Sequence, residues 1–205
     1  MKKSFLAIAT SVLLLVFVQT INAQAWDKST KVLSLGVGGS NFAHIYSGSS
    51  YYGRYSSFNS PLTAQLNFQG EFGVHDYVGV GFTTGLGGGP GYNWGRGYYG
   101  YYYGSSAGEL TVPVGFIANF HFFQLIADKT GKDIHSDKLD VYAGASLGSG
   151  IAAQFDNNGA HVVPIAFGGI HVGVRYYFND RIGVNGELGT PYGKSFVNAG
   201  VVFKL

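Results

Sequence analysis

From about residue 33 to the C-terminus, apolar and polar side chains alternate in steps of two through one segment after another, the period of β-strands and not of helices. The last segment sets Val197, Ala199, Val201, Phe203 and Leu205 on one face and Phe196, Asn198, Gly200, Val202 and Lys204 on the other. Before it, Ile182, Val184 and Leu188 alternate with Gly183, Asn185, Glu187 and Gly189. A longer strand over about 162–178 puts Ala166, Ile170, Val172, Val174, Tyr176 and Phe178 against Phe167, His171, Arg175 and Tyr177, and Asn179 with Asp180 supplies the tight turn after it. Leu139, Val141, Ala143, Ala145 and Leu147 alternate with Asp140, Tyr142, Gly144, Ser146 and Gly148.

The first half obeys the same rule. Leu110, Val112, Val114, Phe116, Ala118, Phe120 and Phe122 alternate with Glu109, Thr111, Gly115, Asn119 and His121; Pro113 falls on the polar phase and predicts a bulge or bend, because proline donates no ladder hydrogen bond. Leu62, Ala64, Leu66, Phe68 and Phe72 alternate with Thr63, Gln65, Asn67, Gln69 and Glu71, and a turn at His75 and Asp76 leads into Val78, Val80, Phe82 and Leu86. Leu33, Leu35 and Val37 open the series, which predicts eight strands.

The two phases differ in a way that decides which face meets what. One is large and almost uncharged; the other carries Glu71, Glu109, Asp140, Arg175 and Glu187 among many glycines, which cannot fill an apolar barrel core. A water-soluble barrel hides its apolar face inside, whereas a membrane barrel turns it out to lipid, and closure pairs the edges that would otherwise expose backbone groups to hydrocarbon. The connections are unequal: short at 75–76 and 179–180, longer at 42–61, 87–107 and 153–161. Such asymmetry fits short periplasmic turns and longer external loops, with both termini on the periplasmic side. The stretch 124–138 breaks the rule, being long and charged on the periplasmic side, and its start predicts a helical turn. Phe72, Tyr77, Phe122, Phe123, Tyr176, Phe178 and Phe203 gather at the inner ends of the strands, as an interfacial girdle requires. The expected fold is an all-β, eight-stranded antiparallel up-and-down transmembrane β-barrel.

The chain starts differently. Lys2 and Lys3 precede an apolar run over 6–18 and small residues at Ala23 and Ala25, the layout of a cleaved export signal, with the mature chain starting at Gln24 or Trp26. The run falls short of the roughly 20 residues a spanning helix needs. We therefore divide the chain into a signal peptide, 1–23, and a barrel domain, 24–205. Of 13 basic residues, Lys2 and Lys3 leave with the signal and the rest balance the 11 acidic ones, so the mature chain gives no reason to expect a nucleic-acid partner. With no cysteine there is no disulfide, thiolate metal site or cysteine nucleophile. Glycine (33 residues), tyrosine (15) and phenylalanine (16) against 12% charged residues also point away from a helical protein.

The run from Gly168 to Gly189, with Gly173-Val174-Arg175-Tyr176-Tyr177-Phe178-Asn179-Asp180 at its centre, resembles the outer-membrane protein β-barrel domain family, the class of OmpA-like and OmpW-like eight-stranded barrels. The closing Gly200-Val201-Val202-Phe203-Lys204-Leu205 is similar to the last strand of such proteins from Bacteroidetes. The resemblance implies residence in the bacterial outer membrane, contact with its lipid, and assembly by the barrel insertion machinery, although the chain ends in Leu205 where a phenylalanine is common.

Candidate chemistry is confined to two places. Arg175 and Glu187, on neighbouring strands around a tight turn, are expected to form a lumen salt bridge, joined by Glu71, Glu109, Asp140 and His171; in so narrow a barrel such charges fill the interior and do not line an open pore. Outside, two loops share a Tyr/Gly composition with one arginine each: Tyr51, Tyr52 and Arg54 in one, and Trp94, Arg96, Tyr98 and Tyr99 in the other. Tyrosine offers rigid amphipathic contact area and glycine lets a loop adapt, a combination suited to an extracellular protein or glycan. The plainer reading is a low-complexity flexible loop. An enzyme acting on lipid A would need a serine, a histidine and an acid; His44 with Ser47, or His161 with Asp156, offer the residue types but no nucleophile motif. No catalytic, cofactor or metal site is expected, and a structural or surface-interaction role ranks first, with a narrow passive pore second and a lipid A-modifying enzyme third.

Overall fold

The computed structural model describes residues 25–44, 63–92, 95–96, 102–103, 106–131, 135–156 and 159–205. Eight long strands follow one another: β1 (Lys31–Ser40), β2 (Thr63–His75), β3 (Val78–Tyr92), β4 (Ser106–Phe120), β5 (Leu139–Asp156), β6 (Gly159–Tyr177), β7 (Ile182–Gly189) and β8 (Val197–Lys204). Each pairs antiparallel with the next, and β8 returns to β1 from Val32↔Lys204 to Gly39↔Val197, so the sheet closes into an up-and-down barrel. Helix α1 (Phe122–Thr130) joins β4 to β5 at the end that carries both strand termini.

Alternation places the side chains as the polarity requires of a barrel in lipid. Phe116 is 77% exposed, Leu147 71%, Ile170 67% and Leu188 62%, while Glu71, Asp140, Arg175 and Glu187 on the other phase are all buried. A water-soluble barrel would reverse that arrangement. Inside, towards the outer end of β5 and β6, Phe42, Ala152, Ile165 and Phe167 form a small apolar core. Phe167 occupies the room that two glycines leave, since a Cβ on Gly115 or Gly148 would come within 2.5 Å and 2.4 Å of its ring. Just past β1, Ala43 and His44 cross the short β7 and β8 to pair with Ala166 and Ile165 of β6, which narrows the barrel above those two strands.

Several expectations need correction. The stretch 153–161 is no long loop: β5 runs to Asp156 and β6 starts at Gly159, their ladder unbroken to Asp156↔Gly159. Likewise β3 continues to Tyr92, with Gly91 facing Ala107, and absorbs the start of the supposed 87–107 loop, whose remainder includes a two-residue pairing of Gly95 and Arg96 with Tyr103 and Tyr102. Pro113 makes no bulge. Pairing between β3 and β4 lapses opposite it, at Gly85 and Leu86, but resumes in the same register, and the Thr84 hydroxyl donates to the Pro113 carbonyl at 2.9 Å. The missing N–H thus removes a rung without adding a residue; the register shift lies instead between Gly73 and His75 on β2. Strand β4 ends at Phe120, and Phe122 and Phe123 open a nine-residue helix where a single turn was expected further on.

Candidate functional site

Among the described residues, two charged clusters lie in the lumen, one above the other. At the terminal end, Arg175 of β6 stands directly across from Asp140 of β5 in the ladder, and its Nη1 donates to Asp140 Oδ1's partner oxygen, Oδ2, at 3.2 Å. Its Nη2 reaches across the barrel to Glu71 Oε2. His121, one residue past the end of β4, lies between the same two carboxylates: Nδ1 donates to Asp140 Oδ1 at 2.8 Å and Nε2 to Glu71 Oε1 at 2.9 Å. Burial alone would disfavour a charged ring, but a carboxylate on each nitrogen outweighs it and raises the His121 pKa above its ordinary value. Two cations then balance two anions, which is what a buried set of charges needs.

Trp26 closes this cluster from below. It is fully buried, its ring is stacked on His121 at 3.6 Å with the planes 6° apart, and the Arg175 guanidinium lies 5.9 Å from its centroid. Above, Tyr142 carries the same guanidinium over its ring at 4.3 Å and so joins the first cluster to the second.

The second cluster centres on Glu187. Lys194 Nζ donates to both of its carboxylate oxygens, at 2.7 Å and 2.6 Å, and to Gln69 Oε1 at 2.6 Å; Tyr142 Oη donates to Glu187 Oε1 at 2.7 Å and Gln69 Nε2 to Oε2 at 3.0 Å. Alongside, Asn67 donates to Asn198 at 3.0 Å and His171 Nε2 to Asn119 at 2.8 Å. Lys194 comes from the connection between β7 and β8, which folds inward: Gly193, Lys194 and Ser195 are buried, the Phe196 N–H donates to the Gly39 carbonyl and the Gly168 N–H to that of Tyr192. Those strands are only eight residues long, so their connection starts low enough to drop a side chain into the lumen.

Of the six residues proposed from sequence, Glu71, Asp140 and Arg175 meet in the first cluster, Glu187 anchors the second, and His171 flanks it. Glu109 is buried ten positions above Asn119 on β4, towards the other end of the barrel. The proposed Arg175–Glu187 pair does not form. In the β6–β7 register Arg175 faces Asn185 and Glu187 faces Gly173, whereas Asp140 sits straight across the other ladder and Lys194 supplies the cation to Glu187. Sequence reasoning also passed over Lys194 and Trp26, which lie in no strand and carry no period, and His121 and Tyr142, which stood in the polar phase without a partner to suggest their role.

Replacing Lys194 by methionine removes the charge at similar length and leaves Glu187 with Tyr142 and Gln69. The expected cost is about 1.5–3 kcal/mol, the range for a hydrogen bond to a charged group, measured by urea unfolding in lipid vesicles. An unchanged midpoint would show that the neutral donors suffice.

The loop residues Tyr51, Tyr52, Arg54, Trp94, Tyr98 and Tyr99 lie outside the described residues, as does Ser47; of Arg96, His44, Asp156 and His161 only the backbone is described. Among the described residues no group of three or more His, Asp or Glu side chains has the arrangement to hold a metal ion.

No protein-family model matches the chain, and no curated protein matches it in sequence. Among solved structures it is similar to the N-terminal β-barrel domain of Pseudomonas aeruginosa OprF, with a TM-score of 0.51 and 14% identity over 88% of this chain and 99% of that one. It also aligns with Ail, the attachment invasion locus protein of Yersinia pestis, at a TM-score of 0.45 and 10% identity over 86% and 95% of the two chains. A third match is Neisserial surface protein A, at 0.40 and 11% over 85% and 93%. The likeness to the OprF domain is one of fold. Joined to the apolar exterior and charged interior, it makes the chain a transmembrane β-barrel of the outer-membrane type.

Proposed function

We propose that the protein is a closed, non-conducting barrel of the bacterial outer membrane whose role is structural or lies in surface interaction, with the Tyr/Gly-rich connections after β1 and β3 as its contact surface for an extracellular protein or glycan. The observation that carries the first half of this reading is the filled lumen. From the terminal end upward, Trp26, the Arg175–Glu71–Asp140–His121 cluster, the Lys194–Glu187 cluster and the Phe42–Phe167 core succeed one another. An eight-stranded barrel is just wide enough to be filled by such side chains. The contact role rests on loop composition.

A narrow passive pore is the second reading, and one feature favours it: both polar atoms of Asn185, Arg175 Nε and the Tyr177 hydroxyl are buried on adjoining parts of β6 and β7 without a protein partner. Such atoms are commonly met by water. Planar-bilayer recording of the refolded full-length barrel separates the readings. Electrical silence is the expected result; discrete, reproducible current steps would overturn it in favour of the pore.

A further inference from the structure

Helix α1 is amphipathic the wrong way round for a helix in water. Phe122, Leu125, Ile126 and Lys129 recur at i, i+3, i+4 and i+7 and make one stripe, the spacing that a globular protein turns to its core. Here the residues packed against the barrel are Gln124 and Ala127, whereas Ile126 is 46% exposed, Phe122 and Leu125 are half-buried and Lys129 is exposed. The orientation is fixed from the other side: Asp128 accepts from the Tyr77 hydroxyl and from Gln124 Nε2, both at 3.0 Å, which ties the polar edge to the β2–β3 turn.

The apolar stripe also continues an apolar surface. Phe120, the last residue of β4, is 42% exposed on the lipid-facing phase, and the same rim carries Phe72 (45%), Val74 (59%), Tyr176 (45%) and Phe178 (61%). Only His121, turned into the lumen, separates Phe120 from the helix.

We propose that α1 lies in the inner leaflet's interface, with Phe122, Leu125 and Ile126 among the phospholipid acyl chains and the Lys129 ammonium at the phosphates. A helix whose apolar face is turned out and which carries a lysine on the same stripe in its last turn has the arrangement of an interfacial anchor. The connection that is too long for a simple turn thereby fixes the barrel's depth, and it positions His121, at the head of the helix, beneath Arg175. The inference rests on the barrel spanning a membrane.

The chain has no cysteine, so single-cysteine variants can carry a nitroxide without background labelling. Ile126→Cys and Leu125→Cys test the helix, Phe116→Cys marks the belt and Asp137→Cys, at an exposed position in the same connection, marks water. In phosphatidylcholine–phosphatidylglycerol vesicles, collisions with oxygen should exceed those with a water-soluble nickel chelate at 126, as at 116, and the order should reverse at 137. Nickel-accessible labels at 126 and 125 with position 116 still in lipid would overturn the proposal and leave the stripe for a periplasmic protein. Nickel access at 116 as well would overturn the membrane reading itself.

Discussion

Arg175→Leu is expected to lower the stability of the barrel by about 3–5 kcal/mol, the usual cost of removing one partner from a buried ion pair. The guanidinium binds Asp140 through one nitrogen and Glu71 through the other, in a site where both carboxylates are at most 2% exposed. Without it His121 is the cation that still bridges the two buried anions. The size of the loss should therefore depend on the carboxylates. Adding Glu71→Gln to Arg175→Leu leaves one anion, Asp140, to one cation, His121, and should restore most of the stability, although each substitution alone is harmful; coupling of that sign is diagnostic of neighbours in one network. Urea unfolding in vesicles, followed by the mobility difference between folded and unfolded forms, measures all three variants. A loss under about 1 kcal/mol for Arg175→Leu would place the pair in the class of solvent-screened surface bridges and would mean that water enters the lumen freely.

How far this network could be read from sequence follows from what alternation encodes. It assigns a side chain to a face, and so Phe116 and Leu147 were legible as lipid-facing and Glu71, Asp140 and Arg175 as interior. It does not say at what height two interior residues meet. Arg175 and Glu187 are close in sequence around a turn, yet the pairing that matters joins Arg175 to Asp140 along one ladder and to Glu71 across the barrel, which depends on register and closure. Lys194 was not legible because an irregular connection places it. Nor was the length of β5 and β6, since Gly148, Gly150, Ala152 and Ala153 weaken the apolar signal where the strands continue. The end of β4 had a signal that alternation overrode: Phe122 and Phe123 are consecutive apolar residues, and two in a row break the period just where the helix takes over.

The same limit hid Trp26, whose removal should be about as costly as that of Arg175. Trp26→Ala is expected to lose about 3–5 kcal/mol, the range for emptying a buried large aromatic site. The ring is fully enclosed, packed between His121 and Gly79, where an added Cβ would approach it to 2.7 Å, and grouped with Ala25, Val32, Tyr177 and Val202. Its segment is held in place by the chain on both sides: the Ala25 N–H donates to the Ser136 carbonyl at 2.8 Å, and Asp27 caps a turn by accepting from the Ser29 N–H at 2.6 Å. Trp26→Phe keeps a flat ring over His121 and should cost less than half as much, which separates stacking from mere volume. Since Val32 of this group pairs with Lys204, the tryptophan can be enclosed only after β1 has met the last strand and the barrel has closed. Trp26→Ala should therefore mainly speed unfolding and leave the folding rate nearly unchanged, as expected for a contact formed late. Folding and unfolding rates in vesicles test this: a slowed folding phase with unaltered unfolding would instead make the N-terminal segment an early template on which the barrel assembles.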